Sequence, residues 1–212
     1  MYEIELKAHV YDREQTITQL NGFAAFKKAC QKTDTYWKHS ATGVQIRIRE
    51  EIPLELSDEL PGANGGVSAE RGAGTPEEPG SIIVTYKRKE LRTAADGAAF
   101  EVNDEQEFTI NTRLPFETFL KDSGFTVAVR KLKTVYQWKT AGTLIELCTV
   151  PPIGDFIEIE INEESNLPHV VSAAKTELMD TLRKCGIGTE CIESRYYSEM
   201  LANADGKAGF GR

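Results

Sequence analysis

Hydrophobic and polar residues alternate strictly over the first ten positions, M-Y-E-I-E-L-K-A-H-V. Tyr2, Ile4, Leu6, Ala8 and Val10 fall on one side, and Glu3, Glu5, Lys7 and His9 on the other. Period-two alternation predicts a strand with one apolar and one polar face. The rhythm returns over 44–50, where Val44, Ile46 and Ile48 alternate with Gln45, Arg47 and Arg49. It returns again over 82–89, 100–110, 126–133, 134–139, 143–150 and 156–162. In the last of these, Ile157, Ile159 and Ile161 alternate with Phe156, Glu158 and Glu160. A short extended piece is predicted over 33–37.

Helical spacing replaces alternation in three places. Asp12 caps a predicted helix over 13–30, with Ile17, Leu20, Phe23 and Ala24 on one face. A short helix is predicted over 115–123, stopped by Gly124, and a longer one over 168–186, stopped by Gly186. The segment 54–80 is rich in Gly, Pro, Glu, Ser and Ala and reads as an insertion loop between strands. Residues 193–201, with Tyr196, Tyr197, Met200 and Leu201, are expected to dock on the strands, and 202–212 to form a loose tail. The expected organisation is one domain over 1–201 followed by that tail.

Eight strands joined by mostly short links favour antiparallel pairing. Eight exceed what two small helices could cover as a flat sheet, so closure into a barrel is expected. The charged faces then have two placements. They form a solvated exterior, or, because the helices need an apolar sheet face to pack on, they line the interior. Spacing alone leaves both open.

Composition narrows the partners. Of 212 residues, 27% are charged and 40% hydrophobic, the net charge is −8, and no apolar run is long enough to cross a bilayer. An acidic chain lacks the basic field expected of a nucleic-acid or anionic-membrane surface. With no basic, apolar-centred leader at Met1, a cytoplasmic protein is expected. Cys30, Cys148, Cys185 and Cys191 have neither the spacing of a zinc site nor the density of a disulfide scaffold, so free thiols are expected.

The charged rows carry the candidate chemistry. Glu3, Glu5 and Lys7 stand about 6–7 Å apart along one strand face. Carboxylates at that spacing can share a divalent cation, and a lysine beside them can take a phosphate oxygen. If the rows line a lumen, its mixed charges suit a ligand that is itself a metal plus a polyanion.

In order along the chain, Glu3-Ile4-Glu5-Leu6-Lys7, Asp34-Thr35-Tyr36, Arg47-Ile48-Arg49, Thr85-Tyr86-Lys87, 131–136 and Gly154-Asp155-Phe156-Ile157-Glu158-Ile159-Glu160 resemble the CYTH superfamily, the triphosphate tunnel metalloenzymes. The Gly154-Asp155-Phe156 spacing and the Ser-Arg-Tyr-Tyr-Ser-Glu-Met-Leu ending look most like the class IV adenylyl cyclase branch. The resemblance implies a mainly β fold: an eight-stranded antiparallel closed tunnel with a charged lumen and helices outside. It implies Mg²⁺ or Mn²⁺ held by Glu3, Glu5, Glu158 and Glu160. It implies a triphosphate held by Lys7, Arg47, Arg49, Lys87, Lys131 and Lys133, with Lys7 and Lys133 acting in catalysis. The implied reaction converts ATP to cyclic AMP and pyrophosphate. The alternatives are hydrolysis of thiamine triphosphate or inorganic tripolyphosphate, and a catalytically silent polyphosphate or nucleotide binder. Family members often pair as homodimers.

Two departures bear on activity. Leu147-Cys148 stands where the family usually reads Leu-Asp, with Glu146 on the same face, and Asn103 stands where an arginine is usual. Outside the pattern, Trp37 and Trp138 are expected to pack between barrel and helices, His9 to be a surface group, and Asp12 and Asp34 to serve as a cap and a turn residue.

Overall fold

The computed structural model describes residues 2–54, 82–93 and 99–208, with side chains for these except 87–93, 99–105 and 205–208. The elements run β1 (Tyr2–His9), α1 (Arg13–Phe23), β2 (Ala25–His39), β3 (Gln45–Pro53), β4 (Ile82–Thr93), β5 (Ala99–Ile110) and α2 (Arg113–Asp122). They continue with β6 (Phe125–Lys139), β7 (Thr143–Val150), β8 (Gly154–Glu163), α3 (Pro168–Lys184), a 3-10 turn (Thr189–Cys191) and α4 (Tyr197–Ala208).

Every strand pairs antiparallel on both sides, closing a barrel in the order β1-β5-β4-β3-β2-β6-β7-β8. Closure gives every strand a neighbour on each side, so no whole strand is left as an edge. β1 and β8 lie across the ring from β2 and β3. Among the described residues no helix is long and apolar enough to cross a membrane.

The apolar rows of β1, β3, β7 and β8 pack outward, beneath the helices. Ile4, Leu6 and Ala8 of β1, Ile145 and Leu147 of β7, and Ile157, Ile159 and Ile161 of β8 form one core with Ile17 and Leu20 of α1 and Val171, Leu178 and Leu182 of α3. A second core joins Trp37, Ile48 and Val84 to Leu120 of α2. Both tryptophans pack between barrel and helix, and Trp138 Nε1 donates to Asn21 Oδ1 of α1 at 2.9 Å. With these faces outward, period two sends the charged rows inward, and the solvated-exterior alternative is excluded.

Three expectations need correction. The first helix stops at Phe23 rather than residue 30, where Ala24 is already extended. Residues 25–39 form one long strand, paired with β6 along its length and with β3 from Cys30 to Lys38, and at residues 25–29 the β6 ladder overrides the local helix tendency. The predicted strands 126–133 and 134–139 are one strand, β6, which accommodates β2 through two register shifts rather than a turn. The expected tail from residue 202 is helical to Ala208. Gly124 and Gly186 do end their helices, with φ of 86° and 75°. The insertion loop, but for Leu54, and the turn near Asp96 and Gly97 lie outside the described residues.

Candidate functional site

The inward faces enclose a cavity of about 810 Å³. Of the residues singled out from the sequence, Glu3, Glu5, Lys7, Arg47, Arg49, Lys131, Lys133, Glu158 and Glu160 all line it. The side chain of Lys87 lies outside the described residues.

One wall is acidic. β1 and β8 pair so that Glu5 stands directly opposite Glu160, Lys7 opposite Glu158 and Glu3 opposite Asn162. Like charges facing each other across a ladder destabilise it, and a bound cation removes that cost. Asn162 Nδ2 donates to Glu160 Oε1 at 2.6 Å, which steadies that carboxylate. Hard carboxylate oxygens from Glu3, Glu5 and Glu160 are the donor set that Mg²⁺ and Mn²⁺ take, so these residues fit the metal that the family pattern implies.

The facing wall is basic and is organised by a buried acid. Asp34, fully buried in mid-strand rather than in a turn, accepts two bonds from Arg49, Nε to Oδ1 at 2.7 Å and Nη2 to Oδ2 at 3.0 Å. Lys131 Nζ lies 3.0 Å from the same Oδ2. Burial pushes the Asp34 carboxyl up, but Arg49 and Lys131 outweigh it and hold the group well below the usual carboxylate range. Arg47 Nη2 donates to Thr85 Oγ1 at 2.8 Å and to Glu107 Oε1 at 3.2 Å. Bidentate pairing such as that of Arg49 with Asp34 fixes a guanidinium in place.

A third cluster lies beside the acidic wall. Lys133 Nζ is 3.0 Å from Glu146 Oε2, 2.5 Å from Glu158 Oε2 and 3.7 Å from Cys148 Sγ. Lys32 Nζ holds the other oxygen of Glu146 at 2.6 Å, and Gln137 Nε2 donates to it at 3.1 Å. Burial opposes charge on Lys133, yet the carboxylates of Glu146 and Glu158 keep it protonated well above the usual lysine range. Burial likewise opposes charge on Glu146 and Glu158, and Lys133 holds both ionised. Glu146, Cys148 and Glu158 offer ligand atoms within 4.8 Å of one another, but the Lys133 ammonium sits among them. Burial and Glu158 push the Cys148 thiol up, so it stays neutral and does not replace the charge of an aspartate. Cys148 also borders an apolar cluster of Cys30, Val135, Val150 and Phe156 with Tyr197 and Met200 of α4.

The segment before α4 ties onto β1. Glu193 N–H donates to the Lys7 carbonyl at 2.8 Å, Lys7 Nζ donates to the Arg195 carbonyl, and His9 Nε2 lies 3.1 Å from Glu193 Oε2. His9 therefore anchors this segment and also packs its ring on Phe156.

The sequence reading missed Lys28 and Lys32 as lumen residues because a helix extended to residue 30 hides the alternation that turns them inward, and it placed Asp34 in a turn rather than under Arg49 and Lys131. Glu146 was legible as an acid on the Cys148 face, but not as the partner of two lysines. Tyr197 left no signal beyond its place in a docking segment.

An antiparallel barrel with an acidic wall across from a basic one is a tunnel suited to a polyanion and a hard cation together. The CYTH domain family model matches residues 1–197, and the chain belongs to that family. Its members are triphosphatases or cyclases that use divalent metals. No curated protein matches the chain. Among solved structures, the PH1819 protein of Pyrococcus horikoshii OT3 is similar at 21% identity and TM-score 0.68, covering 95% of this chain and 99% of that one. An adenylate cyclase candidate from Vibrio parahaemolyticus is similar at 14% identity and TM-score 0.67, covering 95% and 98%. A Hippeastrum candidate adenylyl cyclase, described as having a dominant triphosphatase activity, is similar at 18% identity and TM-score 0.55, covering 97% and 95%.

Proposed function

We propose that the tunnel binds a nucleoside triphosphate with Mg²⁺ or Mn²⁺ and converts ATP to cyclic AMP and pyrophosphate. The observation that carries this reading is the opposition of the two walls, Glu3, Glu5 and Glu160 facing Arg47, Arg49 and Lys131 across one cavity. A cavity of about 810 Å³ is in the range of sites for drug-sized ligands, well beyond the needs of a bare inorganic chain of three phosphates.

In this reading Arg47, Arg49 and Lys131 hold the phosphate chain, with Asp34 keeping two of them aimed. Glu3, Glu5 and Glu160 hold the ion, which when bound neutralises charge on the phosphate oxygens. Lys7 and Lys133 are fixed positive charges, Lys7 toward the phosphates and Lys133 through its pairing with Glu158. The ribose 3′-hydroxyl oxygen forms a bond to the α-phosphorus, its proton passes to water, and the α–β bridging bond breaks to release pyrophosphate. Placement and charge neutralisation are what phosphoryl transfer asks of a protein, and no covalent nucleophile is needed.

A second reading, hydrolysis of a triphosphate by attack of water at the terminal phosphorus, uses the same residues, and the Hippeastrum protein of this fold is described by such an activity. One assay separates them: ATP with Mn²⁺ or Mg²⁺, resolving cyclic AMP, pyrophosphate, ADP and phosphate, beside a Glu5→Ala control. Cyclic AMP and pyrophosphate that vanish in the control support the cyclase. ADP and phosphate that vanish with it replace the cyclase with the triphosphatase. Turnover that survives the control overturns the role given to the acidic wall.

A further inference from the structure

The C-terminal segment contributes a residue to the phosphate site itself. The ring of Tyr197, the first residue of α4, has its centroid 4.6 Å from Lys7 Nζ of β1 and 4.6 Å from Lys131 Nζ of β6. One aromatic ring thus contacts two tunnel ammoniums that the chain brings in from strands far apart in sequence. Tyr197 is 8% exposed, packed edge-on against Phe156 and clustered with Met200, Val135 and Cys148, so the ring is held firmly. Burial and Glu158 push its hydroxyl well above the usual tyrosine range, so the ring stays neutral and keeps an attractive face for cations.

We propose that Tyr197 is a positioning residue: its ring offsets the repulsion between Lys7 and Lys131 and sets both ammoniums where one triphosphate can take them together. Lysine side chains are flexible point charges on four-carbon stems, and two of them drawn into one tunnel repel unless something between them is negative or π-rich. Asp34 restrains Lys131 on one side and the Arg195 carbonyl restrains Lys7 on another. The Tyr197 ring reaches both, and cation–π attraction to a desolvated ring is strong enough to order them before the ligand arrives. This assignment rests on the proposed triphosphate reading.

The test replaces the ring's electrons at nearly constant shape. Phenylalanine, 4-fluorophenylalanine and pentafluorophenylalanine are placed at position 197 of the full chain, and binding of inorganic tripolyphosphate in chelator-containing buffer is measured by calorimetry, with Tm recorded for each variant. Tyr197→Phe should bind within about twofold of the parent, and affinity should fall stepwise with fluorination, to about tenfold weaker or more at pentafluorophenylalanine. Tm should not follow that order. Equal affinity across the series would overturn the assignment, as would a full loss already at Tyr197→Phe, which would give the role to the hydroxyl. If the parent protein binds no tripolyphosphate either in chelator or with Mn²⁺, the triphosphate reading falls and this assignment with it, a result distinct from a parent that binds beside a flat series.

Discussion

Two groups of carboxylates in the same tunnel handle their charge in opposite ways. Glu146 and Glu158 are interleaved with ammoniums, Lys133 touching both and Lys32 touching Glu146, so their charge is balanced by the protein itself. Glu5 and Glu160 face each other directly across the β1–β8 ladder, an arrangement that favours an added cation. The two groups share a strand, since Glu158 and Glu160 are successive inward residues of β8. Two residues along one strand thus separate a self-neutralised cluster from one suited to a metal.

The largest effect that probes this contrast is loss of the internal cation. Lys133→Met should destabilise the protein by about 3–5 kcal/mol, because Glu158 and Glu146 remain buried after their shared partner is gone. Urea unfolding at neutral pH measures it. A loss below about 1 kcal/mol would mean the cluster is no better balanced than a surface ion pair.

A smaller effect comes from adding charge to the balanced cluster. Cys148→Asp puts a carboxylate in place of a buried neutral thiol beside Glu158. In metal-free buffer it should cost about 1–3 kcal/mol. Mn²⁺ should restore stability to this variant more than it stabilises the parent, since the cluster then holds three carboxylates against the ammoniums of Lys133 and Lys32. Unfolding curves with chelator and with Mn²⁺ test both parts, and equal Mn²⁺ responses in variant and parent would show that charge count alone does not set the difference.

How far these clusters could be read from sequence follows from what alternation encodes. Period two sorts residues into two faces, which is why Glu3, Glu5, Arg47, Arg49, Lys131, Lys133, Glu158 and Glu160 could be named as partners. It does not say which face is inside. That is settled by Ile17, Leu20, Leu178 and Leu182, whose helices cover the apolar face. Residues 24–30, Ala-Ala-Phe-Lys-Lys-Ala-Cys, carry good helix formers, and pairing with β6 makes most of them strand. Lys28 and Lys32 were lost with that strand. Asp34 looked like a turn residue because nothing local shows that Arg49 and Lys131 converge on it from neighbouring strands. The family pattern flagged Cys148, but the lysine among its neighbours is a tertiary fact. Tyr197 depends on where α4 docks, which no periodicity reports.

The smallest direct effect should come from neutralising one carboxylate of the acidic wall, and it completes the contrast. Glu5→Gln keeps the shape of the side chain and removes a negative charge that faces another across the ladder. Stability in metal-free buffer should therefore change by less than about 1 kcal/mol, far less than for Lys133→Met. The linked effect is larger than the direct one. A cation at a hundredfold excess over its Kd stabilises the state that binds it by about 2.7 kcal/mol, so Mn²⁺ should raise the parent's Tm clearly and the variant's much less. Thermal melts with chelator and with Mn²⁺ read both quantities in one experiment. If Glu5→Gln proved as costly as Lys133→Met without metal, Glu5 would be part of an internally balanced cluster too, and the division of the tunnel into a self-neutralised group and a metal-seeking group would have to be abandoned.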